Sequence, residues 1–153
     1  MIKDDDFTDQ EGYHRIIPTN SEAVNCVMEQ VEEYCMDKDI SLKKQFYINL
    51  SIEELILNVM GLAEEDRKKK KNPREYYADI RISPRTDGTI YLRIRDNLTE
   101  WTPLALDTSD MEQVVEMDEN SGINELGIGI IKKIAKDYSY KRTIGFNNFS
   151  ATF

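Results

Sequence analysis

The feature that most constrains the fold is a long apolar stretch that begins at Leu42 and ends near Asp66. Its apolar residues recur at three- and four-residue spacing, which predicts one long amphipathic helix. Few polar residues interrupt the middle of the stretch, so we expect this helix to be more buried than the others. Residues Asp39 to Ser41 precede it and offer capping side chains for its first turn.

Shorter predicted elements surround this helix. They are a strand at 14–17, a capped helix at 21–37, a hairpin of strands at 76–83 and 89–96, a helix from 130 to about 137, and strands at 138–142 and 148–153. The polar stretch 97–124 is typical of a long loop, with a short helix possible at 111–115. This order predicts an α/β fold of the α+β two-layer sandwich kind, with helices on one face of a mixed, mostly antiparallel sheet.

The composition excludes several classes of function. The chain has 153 residues, a single-domain length, and we expect a flexible acidic tail at 1–12 before one domain at 13–153. The 20 Lys and Arg against 29 Asp and Glu give a net charge of −9, which disfavours binding to nucleic acid or an anionic membrane. No apolar run approaches the roughly 18 residues of a spanning helix, and the acidic start is unlike a signal peptide. These observations predict a soluble, cytoplasmic protein.

The cysteines and the single histidine exclude most nucleophilic and zinc chemistry. Cys26 and Cys35 share the first predicted helix, about 13 Å apart along its axis, which is too far for a disulfide. We therefore expect reduced packing residues. His14 has no other imidazole or thiol near it in the sequence, and its short strand favours an ordinary edge-strand residue. Chemistry in this chain must use carboxylates, amides and backbone groups.

A carboxylate and an amide interrupt the long apolar helix. Glu54 and Asn58 are four residues apart, so they share one helix face. Asn58 could offer an oxygen to Mg²⁺, and Glu54 could accept a proton from an attacking hydroxyl or water. A polar stripe that faces solvent explains the same pattern equally well.

Two later segments also break their local pattern. Asp96 ends a predicted strand, where its carboxylate could accept a hydrogen bond from an exocyclic amine such as that of adenine, or could cap a turn. Gly127 and Gly129 precede the predicted third helix, where small residues let backbone N–H groups approach a phosphate. A tight loop-to-helix turn is the alternative for this glycine pair.

Taken in order along the chain, these segments resemble the GHKL, or Bergerat, ATP-binding fold. Within that superfamily the sequence is similar to the anti-sigma factor serine/threonine-protein kinases over nearly all of residues 13–153. The stretch from Glu54 to Asn58 resembles the Glu-x-x-x-Asn N-box, and Asp96 with Asn97 resembles the adenine-binding segment. The second glycine box is matched by Leu126, Gly127, Ile128 and Gly129.

The resemblance implies a role for each of these residues. Asn58 would help to hold Mg²⁺, Asp96 would bind the adenine amine of ATP, and Leu126 to Gly129 would shape the phosphate side of the site. Glu54 would be the catalytic base for a serine on an anti-anti-sigma (STAS-type) partner, to which the γ-phosphoryl group is transferred. Binding to a sigma factor, a homodimer and a nucleotide lid within residues 97–124 are also implied.

Departures from the family pattern keep an alternative open. Leu98 stands where the first glycine box usually has glycine, and Glu125 stands where the second usually has a small residue. These two residues favour a non-catalytic protein-binding module of the same fold, with weak or no ATP binding. Glu54 and Asn58 favour the kinase. An unrelated α/β domain is a third interpretation.

Overall fold

The computed structural model describes residues 12–70, 74–101 and 123–153, and for residues 123–128 it describes the backbone alone. The elements follow the chain in the order β1 (Tyr13–Pro18), α1 (Ser21–Asp37), α2 (Leu42–Lys69), β2 (Tyr77–Pro84), β3 (Ile90–Asp96), α3 (Ile123–Ile134), β4 (Asp137–Thr143) and β5 (Phe146–Thr152). The strands and the first two helices lie where the sequence predicts them. Residues 1–11 of the predicted tail and the possible helix at 111–115 lie outside the described residues.

The five strands form one sheet in the order β1-β2-β3-β5-β4, in which every neighbouring pair is antiparallel. Because side chains alternate along a strand, one face of β2 and β3 carries the buried residues Ile80, Ile82, Leu92 and Ile94. This face packs with α1, α2 and α3 into the main hydrophobic core. The predicted sandwich of helices on an antiparallel sheet is confirmed.

Both long helices begin at side-chain caps that the sequence indicates. Asn20 Oδ1 accepts a hydrogen bond from the backbone N–H of Ala23 at 2.8 Å, and Ser41 Oγ accepts one from that of Lys44 at 3.3 Å. Such caps satisfy backbone donors that a helix start leaves unpaired. α2 ends at Lys69, three residues beyond the predicted end, because its charged last turn stays helical in solvent.

The start of the third helix differs from the prediction. α3 begins at Ile123 and ends at Ile134, whereas we expected a helix from Ile130 to about Asp137. Gly127 and Gly129 therefore lie inside the helix and not ahead of it. The apolar residues of this segment recur at helical spacing from Ile123 onward in the sequence. Ile131 is buried in the core and Ile134 packs against it, and this packing outweighs the roughly 1 kcal/mol that each glycine costs a helix.

By length and composition alone, α2 is apolar enough to cross a membrane, which corrects the expectation that no segment reaches that threshold. The core helix of a soluble protein passes the same test, so the indication is weak. The buried residues of α2 belong to the packed interior and include Ile48, Ile52, Leu55, Ile56 and Val59. Contact with α1, α3 and the sheet accounts for the apolar face of this helix.

The histidine and the cysteines occupy ordinary structural positions. His14 lies on the edge strand β1, as predicted, with its Nε2 2.8 Å from Asp79 Oδ1. Both cysteines are free thiols on α1, and Cys35 is fully buried. Cys26 is exposed, so its predicted packing role is wrong. It lies between Val24 and Val27 in sequence but on the opposite side of the helix, since each residue turns the helix by about 100°.

Candidate functional site

A buried carboxylate lies at the end of the central strand. Asp96 is the last residue of β3 and is only 2% exposed, because its side chain follows Leu92 and Ile94 on the core face of the sheet. Its Oδ1 accepts hydrogen bonds from the backbone N–H of Leu98 at 3.0 Å and from Asn147 Nδ2 at 2.8 Å. Its Oδ2 accepts one from Trp101 Nε1 at 3.0 Å. A carboxylate with three donors is a fixed acceptor at the edge of the core.

Burial dominates the protonation of this carboxylate. Desolvation raises the pKa of Asp96 above its usual value of 3.8, although hydrogen bonds from Asn147, Leu98 and Trp101 and the charge of Arg142 act in the opposite direction. The bond to the N–H of Leu98 is the turn cap that we kept open as the alternative. The carboxylate of Asp96 therefore caps the turn through the N–H of Leu98 and also accepts a hydrogen bond from the Trp101 side chain, which follows the turn.

Asn147 is a member of the site that the sequence analysis missed. It is 2% exposed, and its Nδ2 donates to Asp96 Oδ1 and to the carbonyl oxygens of Leu98 and Thr99. Its Oδ1 accepts from Tyr140 Oη at 2.8 Å and from the N–H of Trp101 at 3.3 Å. One signal was available: Asn147 alternates with Phe149 and Ala151 on β5, so it is a polar residue at a core position.

The turn after β3 packs directly on α2. Leu98 is 2% exposed and belongs to a buried cluster with Val59, Ala63 and Tyr76, against which Trp101 packs. Asp39 is the one residue other than glycine with a positive φ in the described part of the chain. Leu98 thus needs no left-handed backbone, and its side chain fills apolar space that glycine would leave open. Next to the cluster, α2 and residues 98–101 enclose a cleft of about 170 Å³.

Glu54 and Asn58 lie on one face of α2, as their spacing predicts, and both are partly buried. Asn58 Nδ2 donates to the backbone carbonyl of Glu54 at 2.8 Å, so Oδ1 is the atom that Asn58 could offer to a cation. Burial raises the pKa of Glu54, and the nearby charge of Glu53 adds to the rise. Asn58 precedes Val59 of the buried cluster, which brings this turn of α2 next to the turn after β3.

The glycine box is placed only in part. Leu126, Gly127, Ile128 and Gly129 all belong to α3, which packs against α2, and Gly129 is buried. The free N–H groups of this helix belong to its first turn, from Ile123, rather than to the glycine pair. The side chains of Leu126 and Ile128 lie outside the described residues, as does that of Glu125.

The donor set suits a weakly held magnesium ion better than a dedicated metal centre. Among the described residues, no group of three His, Cys, Asp or Glu side chains could hold a metal ion. Mg²⁺ in nucleotide sites keeps several waters and takes one or two protein oxygens together with phosphate oxygens. The amide oxygen of Asn58 meets that requirement.

Comparisons with known proteins give a family and a fold. The family model described as the histidine kinase-like ATPase domain matches residues 17–152. No curated protein sequence matches the chain significantly.

Two solved structures have the same fold. The SiaB–SiaC complex from Pseudomonas aeruginosa aligns with a TM-score of 0.68 at 11% identity, covering 92% of this chain and 88% of that chain. The structure of the RsbU and RsbW domains of Rv1364c from Mycobacterium tuberculosis aligns with a TM-score of 0.62 at 11% identity, covering 92% of this chain and 31% of that chain. At this identity the likeness establishes a shared fold.

Proposed function

The chain belongs to the histidine kinase-like ATPase domain family, and on that premise we propose that it binds ATP and Mg²⁺ and acts as an anti-sigma-factor-type serine/threonine-protein kinase. The observation that carries the proposal is the buried carboxylate of Asp96 at the end of the central strand, beside the helix that bears Glu54 and Asn58. An acceptor fixed by three donors, beside the apolar cluster that contains Leu98 and packs against Trp101, suits a flat base with an amine at its edge.

The proposed roles divide binding from chemistry. Asp96 would orient the adenine, and Asn58 would contribute one oxygen to Mg²⁺. ATP and Mg²⁺, when bound, supply the γ-phosphoryl group and the charge that stabilises its transfer. Glu54 would accept the proton of the attacking serine hydroxyl, and its raised pKa makes it a stronger proton acceptor than an exposed glutamate. Leu126 to Gly129 would adjoin the phosphates.

The proposed partner is another protein. One similar solved structure is a complex between SiaB and SiaC, which supports a protein partner for this fold. We propose a STAS-type anti-anti-sigma protein as the phosphate acceptor and a sigma factor as a second partner. A homodimer and a cytoplasmic location complete the proposal, and the net charge of −9 disfavours direct contact with nucleic acid.

The proposal is tested in two steps on the purified protein. Calorimetric titration with ATP and ADP, with and without Mg²⁺, should give Mg²⁺-sensitive binding that Asp96→Asn weakens at least tenfold. Glu54→Gln should bind ATP like the parent but transfer γ-³²P to a panel of STAS-type proteins at least 100-fold more slowly, the usual size of a general-base effect. Glu64→Gln is the matched control, because Glu64 is exposed on the same helix and forms a surface ion pair with Lys68, away from Glu54 and Asn58.

A second candidate is a non-catalytic protein-binding module of the same fold. The observation that favours it is the packing of Leu98 and Trp101 between the end of β3 and α2, in space that a base would need. Absence of ATP and ADP binding at millimolar concentration, both to the parent protein and to a folded variant without the Trp101 indole, would select this module over the kinase. Equal loss of binding in Asp96→Asn and Glu54→Gln would contradict the separate roles assigned to the two carboxylates.

A further inference from the structure

We propose that Trp101 sets the nucleotide affinity of this site, because its indole occupies both the acceptor and the apolar space that a purine base needs. The inference rests on the proposed function and names a regulator of the same site. It predicts that a nucleotide binds only when the indole leaves Asp96. Nothing in the resemblance to the family assigns a role to this residue, which is the single tryptophan of the chain.

The indole N–H occupies the carboxylate oxygen that an adenine amine would need. Trp101 Nε1 donates to Asp96 Oδ2 at 3.0 Å, while Oδ1 is already shared by the Leu98 N–H and Asn147 Nδ2. The atom that remains for an exocyclic amine is therefore the one that the indole uses. An indole N–H and an adenine amine are both neutral N–H donors on flat two-ring systems, so each makes the same kind of charge-assisted bond to a carboxylate.

The indole also fills apolar space that a purine base would need. Trp101 packs against both hydrophobic clusters, one under the sheet and one formed by Val59, Ala63, Tyr76 and Leu98. A purine stacked near Asp96 would need contacts with the same side chains of α2. The indole and a purine cannot both occupy this space beside Asp96, because protein interiors are packed to the density of organic crystals.

The indole has adjacent space into which it can move away from Asp96. Trp101 is only partly buried, and its backbone N–H reaches Asn147 Oδ1 at 3.3 Å, the longer of the two bonds that this oxygen accepts. The indole also borders the cleft of about 170 Å³ that Leu62, Glu65 and Thr99 help to line. Movement of the ring into this cleft would free Oδ2 without any change in the strand.

Population-shift arithmetic gives the expected size of the effect. The apparent dissociation constant equals the intrinsic constant divided by the fraction of molecules whose site is open. An indole that occupies the site in 90 to 99% of molecules lowers the affinity by about 10- to 100-fold. Removal of the indole should therefore tighten nucleotide binding by about the same factor.

The test is a calorimetric titration of the full chain with Mg–ADP and Mg–ATP. Trp101→Ala, which removes ring and donor, should bind 10- to 100-fold more tightly than the parent. Trp101→Phe keeps most of the ring and loses the donor, so it should lie between the two and serves as the second variant if the alanine variant does not fold. Phe46→Ala is the control, because it truncates an aromatic ring that is 63% exposed on α2. Far-UV circular dichroism establishes that each variant is folded.

A second readout comes from the parent protein. Trp101 is the one fluorophore of its kind in the chain, so Mg–ADP should shift its emission to the red as the indole moves into water. Tighter binding by Trp101→Ala supports the inference, including the case in which only the variant binds.

Two other outcomes overturn it in distinguishable ways. If the parent binds Mg–ADP and Trp101→Ala binds equally or more weakly, the indole does not compete with the base and the proposed function stands. If no folded variant binds nucleotide at millimolar concentration, the proposed nucleotide site fails and the inference fails with it.

Discussion

The hydrogen bond between Trp101 and Asp96 makes the sharpest prediction, because it predicts a coupling free energy between two substitutions. Asp96→Asn replaces one carboxylate oxygen with an amide NH₂ of nearly the same shape. The amide oxygen of the new asparagine would still accept hydrogen bonds from the N–H of Leu98 and from Asn147 Nδ2. Its NH₂ group would then face Trp101 Nε1, which is also a donor. Trp101→Phe removes that donor. The cost of Asp96→Asn should therefore be smaller in the Phe background.

The magnitude follows from the geometry. Asp96 is 2% exposed and the bond of 3.0 Å joins a neutral donor to a carboxylate. Hydrogen bonds to charged groups contribute about 1.5–3 kcal/mol. We expect the two substitutions together to lower the free energy of unfolding by about 1.5–3 kcal/mol less than the sum of the single effects.

The assay is urea denaturation at pH 7 followed by far-UV circular dichroism, because Trp101→Phe abolishes tryptophan fluorescence. Four proteins are compared: the parent, the two single variants and the double variant. A second cycle that pairs Asp96→Asn with Phe46→Ala is the control, since Phe46 is an exposed residue of α2 without a bond to Asp96. Additivity within about 0.5 kcal/mol in the Trp101 cycle would refute the bond in solution.

Three further predictions concern two glycines, the reactivity of the two cysteine thiols and the protonation of Asp96. Gly88 has φ +86°, which an L side chain rarely adopts, so Gly88→Ala should lower the free energy of unfolding by about 1–2 kcal/mol although an added Cβ would meet open space. Gly61 is exposed inside α2, so Gly61→Ala should raise the free energy of unfolding by up to about 1 kcal/mol. Both changes are measured by urea denaturation. Burial raises the pKa of Cys35 to about 11, so a disulfide reagent at pH 8 should modify one thiol, the exposed Cys26, quickly; fast modification of two would contradict the buried position. Burial raises the pKa of Asp96 in the folded protein above its value in the unfolded chain, so the contribution of this group to the free energy of unfolding should be full below about pH 4 and should be lost as the pH rises through the folded pKa. Asp96→Asn should remove this pH dependence of the unfolding free energy, measured by urea denaturation at a series of pH values.

Local patterns in the sequence sufficed for most of the elements. Asn20 and Ser41 mark the helix starts, and Gly88 marks the hairpin turn, because each of these choices is decided by neighbours within four residues. The start of α3 was missed because a glycine pair is typical both of a helix entrance and of a close contact inside a helix. The packing of α3 against α2 and the core decided between the two, and such packing depends on elements far away in the chain.

Only those features of the candidate site that depend on neighbouring residues could be predicted from the sequence. The spacing of Glu54 and Asn58 fixes a shared helix face, and the position of Asp96 at a strand end follows from the hairpin. The partners of Asp96 could not be derived in this way, because Asn147 lies 51 residues away in the chain. The bond from Trp101 spans only five residues, yet it depends on a turn geometry that α2 imposes through Leu98.

Strand register joins the core to the site. β3 and β5 pair with Asp96 opposite Asn147 and Leu92 opposite Ala151, so polar and apolar partners share one face of the sheet. A slip of one residue would turn Phe149 and Ala151 toward solvent and carry Asn147 to the other face. The apolar alternation of β5 therefore specifies the position of Asn147 as firmly as that of the core. A substitution that only loosens this register, far from any ligand, should weaken the carboxylate site together with the fold.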